Sequence, residues 1–543
     1  MIISFISLLF LTFVIIGYSY IFKLLLNNDR PTQEIAIFNL DFIYGLFLLS
    51  LISIIANFFI PLQKITYPIL LIGISVFIYI FIKKRIKINL ISLVLIIFFL
   101  IFISHTQGVG YDTQLYHLQI IKLNTIYKSI FGIANLEGRY GMNSSWHSLI
   151  SLFNISYKEF KLLYIVNFTV FSFIINEIFS CNSKKNGKSK FFLVISLVFI
   201  FVYSYFHPFG NGTILNNLGS PEVDIVASFL FIFGIYLFIN FYEEENYNTI
   251  LVLILSSVLI FTIKINYLAI LFLPIWIIIN KNFYKTFLSI YLVSFFFGIS
   301  WLFKSFIATG CLIFPLSITC FKTSWSLSHS YVENFKNIVM SFARDTPERL
   351  MFSNFDHTLN SYNWVKPWVK EYFLKTEILY LSFLIISANI VLLLFIYLIK
   401  KNINFNKNYF FLLITLFISL IIWLQAPEIR FGYGTIIAIF SITATLLLQN
   451  ISPIFFNIRF NKALILLPMV FMISKNFNNR NSFTDIFQRS FNYEDWKLIQ
   501  NTSGIKIYNP PMYVFCAELI DFCTYETNKV FKIKKKRYLY FLN

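Results

Sequence analysis

Asp112, His117, Glu137, Arg139 and His147 fall within one stretch, residues 105–153, that separates apolar runs and is too polar to sit in lipid. Carboxylates and imidazoles move protons, and a guanidinium grips phosphate or carboxylate through two parallel hydrogen bonds. Residues of the same kind recur further on. Glu222 and Asp224 precede an apolar run, Lys264 interrupts one, Lys304 lies near the end of another, and Glu428 and Arg430 stand in PEIRFGYG. Proton transfer beside an anion-binding cation is the chemistry these types can support. For Asp112 there is also a purely structural reading, as the N-cap that satisfies free amides of a following helix.

The elements that must position these groups can be read from spacing. From Thr113, apolar or aromatic positions recur at Tyr116, Ile120, Leu123, Tyr127 and Ile130, while Gln114, His117, Asn124 and Lys128 line another face. This 4-3-4-3 period predicts an amphipathic helix lying along a membrane surface. A turn-rich segment follows, from Gly132 through Asn135-Leu-Glu137-Gly138-Arg139-Tyr140-Gly141, and Asn143-Ser-Ser-Trp146-His147 opens a second helix.

The rest of the chain defines the solvent. Of its 543 residues, 58% are hydrophobic, 20% aromatic and only 13% charged, with a mean hydropathy of +0.72. Soluble domains carry about 25% charged residues, so this is an integral membrane protein. Its apolar runs have the length of helical spans rather than the short alternation of a β-barrel. We expect an all-α polytopic fold of about 14 spans, near 2–25, 41–61, 66–82, 88–104, 160–180, 190–206, 222–241, 249–263, 265–280, 286–307, 378–399, 408–424, 431–449 and 462–475. The first is a retained span rather than a cleaved signal, because no positive n-region or small-residue cleavage site accompanies it. The pair at 249–280 reads either as one tilted helix or as two short ones broken around Lys264.

The net charge of +19 resides in short Lys and Arg clusters between spans, at 83–87, 184–190, 281–285, 400–407 and 459–462. All fall on one side of the span list, which the positive-inside rule makes cytoplasmic, and nucleic-acid binding is not expected. Division of the chain follows: N-terminal spans 1–104, a first large outer loop 105–159 holding the candidate site, spans 160–307, a second outer loop 308–377, spans 378–475 and a small extracytoplasmic extension 476–543. Cys311, Cys320, Cys516 and Cys523 then lie outside, where local bridges 311–320 and 516–523 can form. The expected location is the cytoplasmic (inner) membrane, with the lipid bilayer as partner.

YDTQLYHLQIIK, GRYGMNSSW and PEIRFGYG resemble a bacterial family of uncharacterised polytopic proteins associated with surface-polysaccharide synthesis. In order, the chain also resembles the GT-C class of membrane glycosyltransferases, which includes protein O-mannosyltransferases. An acidic residue after a span, a Tyr and a surface helix, a second acidic position at Ser220-Pro-Glu222-Val-Asp224, a Lys-containing break at Lys264, Trp301, Lys304, Gly310 and Pro315, and Glu428-Ile-Arg430-Phe431 carry that likeness over about residues 105–435. Two features depart from the class: about four spans precede the acidic loop, and Asp112 is followed by Thr113 rather than a second acid. The resemblance implies a GT-C-like fold and transfer of a sugar from a polyprenyl-phosphate-linked donor to a glycan or lipid-linked acceptor at the outer face. It makes Asp112 the general base, assisted by His117, and Arg430, Lys264 and Arg139 the cations for the lipid phosphate. Tyr116, Lys304 and Glu428 join them as substrate-binding residues. Glu222 and Asp224 bind sugar or acceptor, or, with Asp112, hold a divalent metal ion.

Two other readings compete with glycosyl transfer. An O-antigen-type polymerase or ligase works on the same lipid-linked glycans but uses Arg-rich outer loops, which this chain lacks. A transporter or flippase of lipid-linked sugars predicts charges buried mid-span, where the sequence offers Lys264 and Glu177. No Walker loop, HExxH, CxxC pair or GxSxG is present.

Overall fold

The computed structural model describes residues 2–26, 36–104, 112–154, 162–180, 187–206, 218–283, 288–344, 358–371, 407–448, 462–470, 497–502, 505–509, 522–525, 531–535 and 539–542. In chain order the helices are α1 (Ile2–Leu26), α2 (Phe42–Phe59), α3 (Gln63–Ile82), α4 (Leu90–Ser104), α5 (Leu118–Ile126), α6 (Ser145–Leu152), α7 (Val166–Ser180), α8 (Gly187–Phe206), α9 (Val223–Glu244), α10 (Tyr247–Ile263), α11 (Phe272–Lys281), α12 (Leu288–Thr309), α13 (His329–Arg344), α14 (Val365–Glu371), α15 (Lys407–Gln425) and α16 (Ile429–Leu448). Among the described residues, nine helices have the length and apolar content to cross a bilayer, within α1, α2, α3, α7, α8, α9, α12, α15 and α16. The chain is a multi-pass helical membrane protein.

The expected spans near 88–104, 249–263 and 265–280 are present as the brief apolar helices α4 and α10 and the apolar stretch Ile265–Lys281 that includes α11, each too short to count among those nine. The ambiguous stretch at 249–280 resolves as two helices. α10 ends at Ile263, Lys264 is extended, and a 3-10 turn at Ile265–Leu271 leads into α11. Of the remaining expected spans, 378–399 lies outside the described residues and 462–475 is described only as a helix over 462–470.

Burial explains the arrangement. α9 is buried along Val223–Phe241, which makes it the central helix, and it packs on α10 and α16 while α8 closes against α16. The approach of α9 and α16 needs Gly434, since a Cβ there would come within 3.0 Å of Ser228 Cα. Around this centre α1 packs on α2 and α3, and α4 on α7. Helices α3, α12 and α15 expose Leu71, Ile82, Phe295 and Phe417, the apolar surface that a lipid-facing helix presents.

Two ends of the bundle can be told apart. At one, Ile37 bridges Ile86 and Glu243 accepts backbone N–H bonds from Lys188 and Ser189. At the other, the Leu62 amide donates to the Asn124 carbonyl at 3.2 Å, tying the α2–α3 turn to the 112–154 segment.

That segment departs from the expected surface helix. Residues Thr113–His117 form a π-helical turn, α5 follows, and the helix stops at Tyr127, whose backbone is extended. Of the face predicted to be polar, His117 is buried and Gln114, Asn124 and Lys128 are half-buried, because α6 packs along α5 and α2 packs behind α6.

The extension after residue 476 adds strands to the expected all-helical fold. β1 (Lys497–Thr502) pairs antiparallel with β2 (Ile505–Asn509), which runs parallel to β3 (Phe522–Cys523). β4 (Lys532–Lys535) and β5 (Leu539–Leu542) form a separate antiparallel pair. Both sit on the 112–154 segment. Ile507, Phe522 and Phe541 share a core with Leu123, Ile130, Ile133 and Leu136. Phe541 donates to the Phe131 carbonyl at 2.8 Å and the Phe131 amide to Leu539 at 3.0 Å. Gly132 has φ +65°, and a Cβ there would stand 2.2 Å from the Phe541 carbonyl oxygen, so the strand's approach requires glycine on both counts. Cys311 and Cys320 form the first expected disulfide. Cys523 is disulfide-bonded as well, and its expected partner Cys516 lies outside the described residues.

Candidate functional site

Asp112 stands at the start of the π-turn with helical backbone angles, φ −66° and ψ −27°, and its side chain makes no capping bond. The purely structural reading fails on that point. Its carboxylate instead takes a hydrogen bond from Nη1 of Arg430, 318 residues away in the first turn of α16.

Arg430 is fixed from its own side too. Its Nε lies 3.9 Å from Glu428, and its guanidinium carbon is 5.3 Å from the ring centroid of Phe431. The turn that presents it is held by Trp423 of α15, whose indole N–H donates to the Glu428 carbonyl at 2.8 Å. Gly432 permits this, because any Cβ would meet the Trp423 ring at 2.6 Å.

A second ion pair lies alongside. Lys264, at the break between α10 and α11, donates to Asp224 in the first turn of α9, and its ammonium sits 4.1 Å from the same Phe431 ring. Phe431 therefore stands between both cations as a cation–π partner. Asp224 and Glu222 act on the charge of Arg430 together with Asp112 and Glu428, so the two pairs form one cluster of four acids and two bases.

Glu222 is the acid without a partner. It precedes α9, is 3% exposed, and its carboxyl has no hydrogen bond or ion pair among the described residues. Burial raises its pKa to about 8, with Asp224 and Asp112 adding to that and Arg430 and Lys264 opposing it. Its backbone is held firmly. Asn167 of α7 donates to the carbonyls of Ser220 at 2.7 Å and Glu222 at 3.0 Å, and accepts from the Trp146 indole at 2.7 Å. The Ser220 hydroxyl also bonds Thr113, which ties the acidic turn to the segment bearing Asp112.

His117 lies behind Asp112, with its ring 4.2 Å from Tyr116 and 4.7 Å from His147. Burial lowers its pKa to about 4 against the upward pull of Asp112 and Asp224, so it is a neutral imidazole at pH 7. Tyr116 is close enough to the cluster to feel Asp112, Asp224, Arg430 and Glu222.

Of the residues expected from sequence, Asp112, Tyr116, His117, Glu222, Asp224, Lys264, Glu428 and Arg430 come together. Two do not. Arg139 pairs with Glu137 at 3.0 Å and faces the Tyr525 ring, under the strands of the extension. Lys304 bonds Asn57 and Asn124 at 3.1 Å and Ser148 at 2.7 Å.

A metal held by Asp112 and Asp224 does not fit this arrangement. Each carboxylate is already matched to a cation, and among the described residues no three His, Cys, Asp or Glu side chains converge as ligands. Ser220 and Phe431 entered the sequence reading only as neighbours of the acids and of Arg430, and three positioning residues escaped it: Asn167, Trp423, and Tyr267, whose hydroxyl joins Ser228 of α9 to the Gly434 amide at 3.1 Å. Trp423 had the ordinary look of an interface anchor, and a lone Asn inside an apolar run carries no signal at all.

The profile of a family described as a domain of unknown function (DUF8201) matches residues 1–437. The chain belongs to that family. The matched region of this DUF8201 chain contains every member of the cluster and ends within α16, short of the β-strands. No curated protein and no solved structure matches the chain.

Proposed function

We propose that this DUF8201 protein is a membrane glycosyltransferase that moves a sugar from a polyprenyl-phosphate-linked donor to a glycan or lipid-linked acceptor, in a GT-C-like arrangement at the outer face of the cytoplasmic membrane. The observation that supports it is the convergence of Asp112 with Arg430, beside Lys264, Asp224 and a Glu222 that has no ion pair among the described residues, at one end of the bundle.

Arg430 and Lys264 are the groups for the lipid phosphate, and in the resting arrangement Asp112 and Asp224 stand in for it. A phosphate reaching Arg430 competes for the guanidinium and releases the Asp112 carboxylate. Asp112 then takes the proton of the acceptor hydroxyl as its oxygen attacks the sugar carbon. The sugar–phosphate bond breaks with its electron pair, and the lipid phosphate leaves as an anion that the two cations stabilise. Protonated Glu222 offers a hydrogen-bond donor to a sugar hydroxyl, and neutral His117 orients the Asp112 side. No step requires a metal.

The test is transfer of sugar from a polyprenyl-phosphate pool in membranes carrying wild type or Asp112→Asn at matched expression. Product lost by about 100-fold or more with the protein intact is the expected result. Unchanged transfer would overturn the proposal and leave the Asp112–Arg430 pair a structural tie.

A further inference from the structure

A second polar site lies apart from the ion cluster. Lys304 of α12 projects among α2, α5 and α6, where its three N–H donors meet three neutral acceptors: Asn57 Oδ1 and Asn124 Oδ1 at 3.1 Å and Ser148 Oγ at 2.7 Å. These oxygens satisfy the ammonium's hydrogen bonds without neutralising its charge. No carboxylate pairs with it among the described residues, and none acts on its charge. Cations removed from water are costly unless an opposite charge accompanies them. The field of Lys304 is felt as far as His147.

Lys304 lines a small cavity of about 50 Å³ between α12 and the 120–144 segment. Its wall has one second charge, Lys128, and no acidic residue. Ser144 and Asn143 supply polar groups; the Ser144 oxygen accepts from the Trp146 amide at 3.2 Å, which leaves its hydroxyl proton to donate. Asn124 and Ser129 add further polar groups, and Ile120, Leu123, Ile130, Ile307 and Ala308 give the cavity an apolar side. None of the ion-cluster residues lines it.

From the uncompensated ammonium, the second lysine and the apolar wall, we infer that this cavity binds the phosphate headgroup of an amphipathic molecule. The site does not depend on the glycosyl-transfer reading. A protein that transfers nothing has the same unmatched charge to neutralise.

The probe is a dodecyl phosphate bearing a diazirine near its headgroup, photolysed with the purified full chain in neutral detergent, with adducts located by peptide mass spectrometry. Adducts within 120–144 or at 307–308 are expected, falling about tenfold in Lys304→Gln, the loss of one unmatched positive charge beside the phosphate. Lys128→Gln should lower them less, and it keeps the test open if Lys304→Gln fails to fold. Competition by inorganic phosphate would support a site that reads the anion alone, and resistance to it one that needs the chain as well. Adducts confined to residues around Asp112 and Arg430 would overturn the inference. So would equal labelling by the uncharged diazirine alcohol, or labelling that neither variant alters.

Discussion

The two ends of the bundle carry buried charges in different company. At the end where Ile37 meets Ile86, Asp41 is fully buried and every approach to it is filled: Lys23 at 2.7 Å, the Phe38 amide at 2.8 Å and the Asn248 amide at 3.0 Å. Glu177 nearby takes Asn39 at 2.9 Å and the Tyr236 hydroxyl at 2.8 Å. At the end where Asp112 meets Arg430, four acids share two cations, and among the described residues Glu222 has no hydrogen bond or ion pair of its own. A closed network holds helices together, since every donor has found its acceptor within the protein. An unbalanced one has room for a ligand that brings its own charge. Counting buried charges does not separate these cases; asking which of them are matched does.

Four experiments, from largest effect to smallest, would break or sharpen that contrast. Asp41→Ala strands Lys23 in the closed network and should cost about 3–5 kcal/mol of stability, read as a fall in the thermal midpoint in detergent. An unchanged midpoint would deny that this end holds the fold. Arg430→Gln combined with Asp112→Asn keeps a neutral hydrogen-bonded pair, so folding should persist while transfer falls at least about 100-fold, near 2.7 kcal/mol. Loss of both together would make the two ends alike.

The third concerns pH. Glu222 holds its proton up to about 8 in the folded chain against an ordinary 4.5. The folded state therefore binds more protons between those values, and the stability that Glu222 contributes is present at low pH and lost as pH rises through about 8. Glu222→Gln should flatten that decline in a series of thermal midpoints from pH 4.5 to 8.5, and a decline identical to wild type would remove Glu222 from its buried, unpaired role. The smallest effect belongs to Lys281 and Glu245, whose bridge is largely exposed. Lys281→Gln should stay within about 0.5 kcal/mol of wild type by the same measurement.

Much of this was legible in the chain because bilayer and water divide residues sharply. Apolar run length gave the helical membrane class, and acids beside span ends pointed to Asp112, Glu222 and Asp224. The pairing of Asp112 with Arg430 was not legible, since nothing local records which of several distant cations a carboxylate meets. The helix from Thr113 shows the other limit. Periodicity finds an amphipathic face, but it assumes that the polar side meets solvent, whereas His117 turns into protein and Gln114, Asn124 and Lys128 are half-covered. Lys304 misled for a related reason: its type suits a ligand in the main cluster, but its length carries it to Asn57, Asn124 and Ser148 instead. The extension's strands are short and interrupted, below what alternation can signal.

The clasp between β5 and Phe131 bears on how the molecule is made. The segment carrying Asp112 emerges early in synthesis, yet its turn at Gly132 packs against Ile307 and, far later in the chain, Phe541. Six of the nine membrane-crossing helices among the described residues are translated in the interval. Final seating of the site-bearing segment is thus a late event, and a ribosome that stops shortly before Leu539 releases a bundle whose spans can all insert while the wall beside its reactive end stays unfastened.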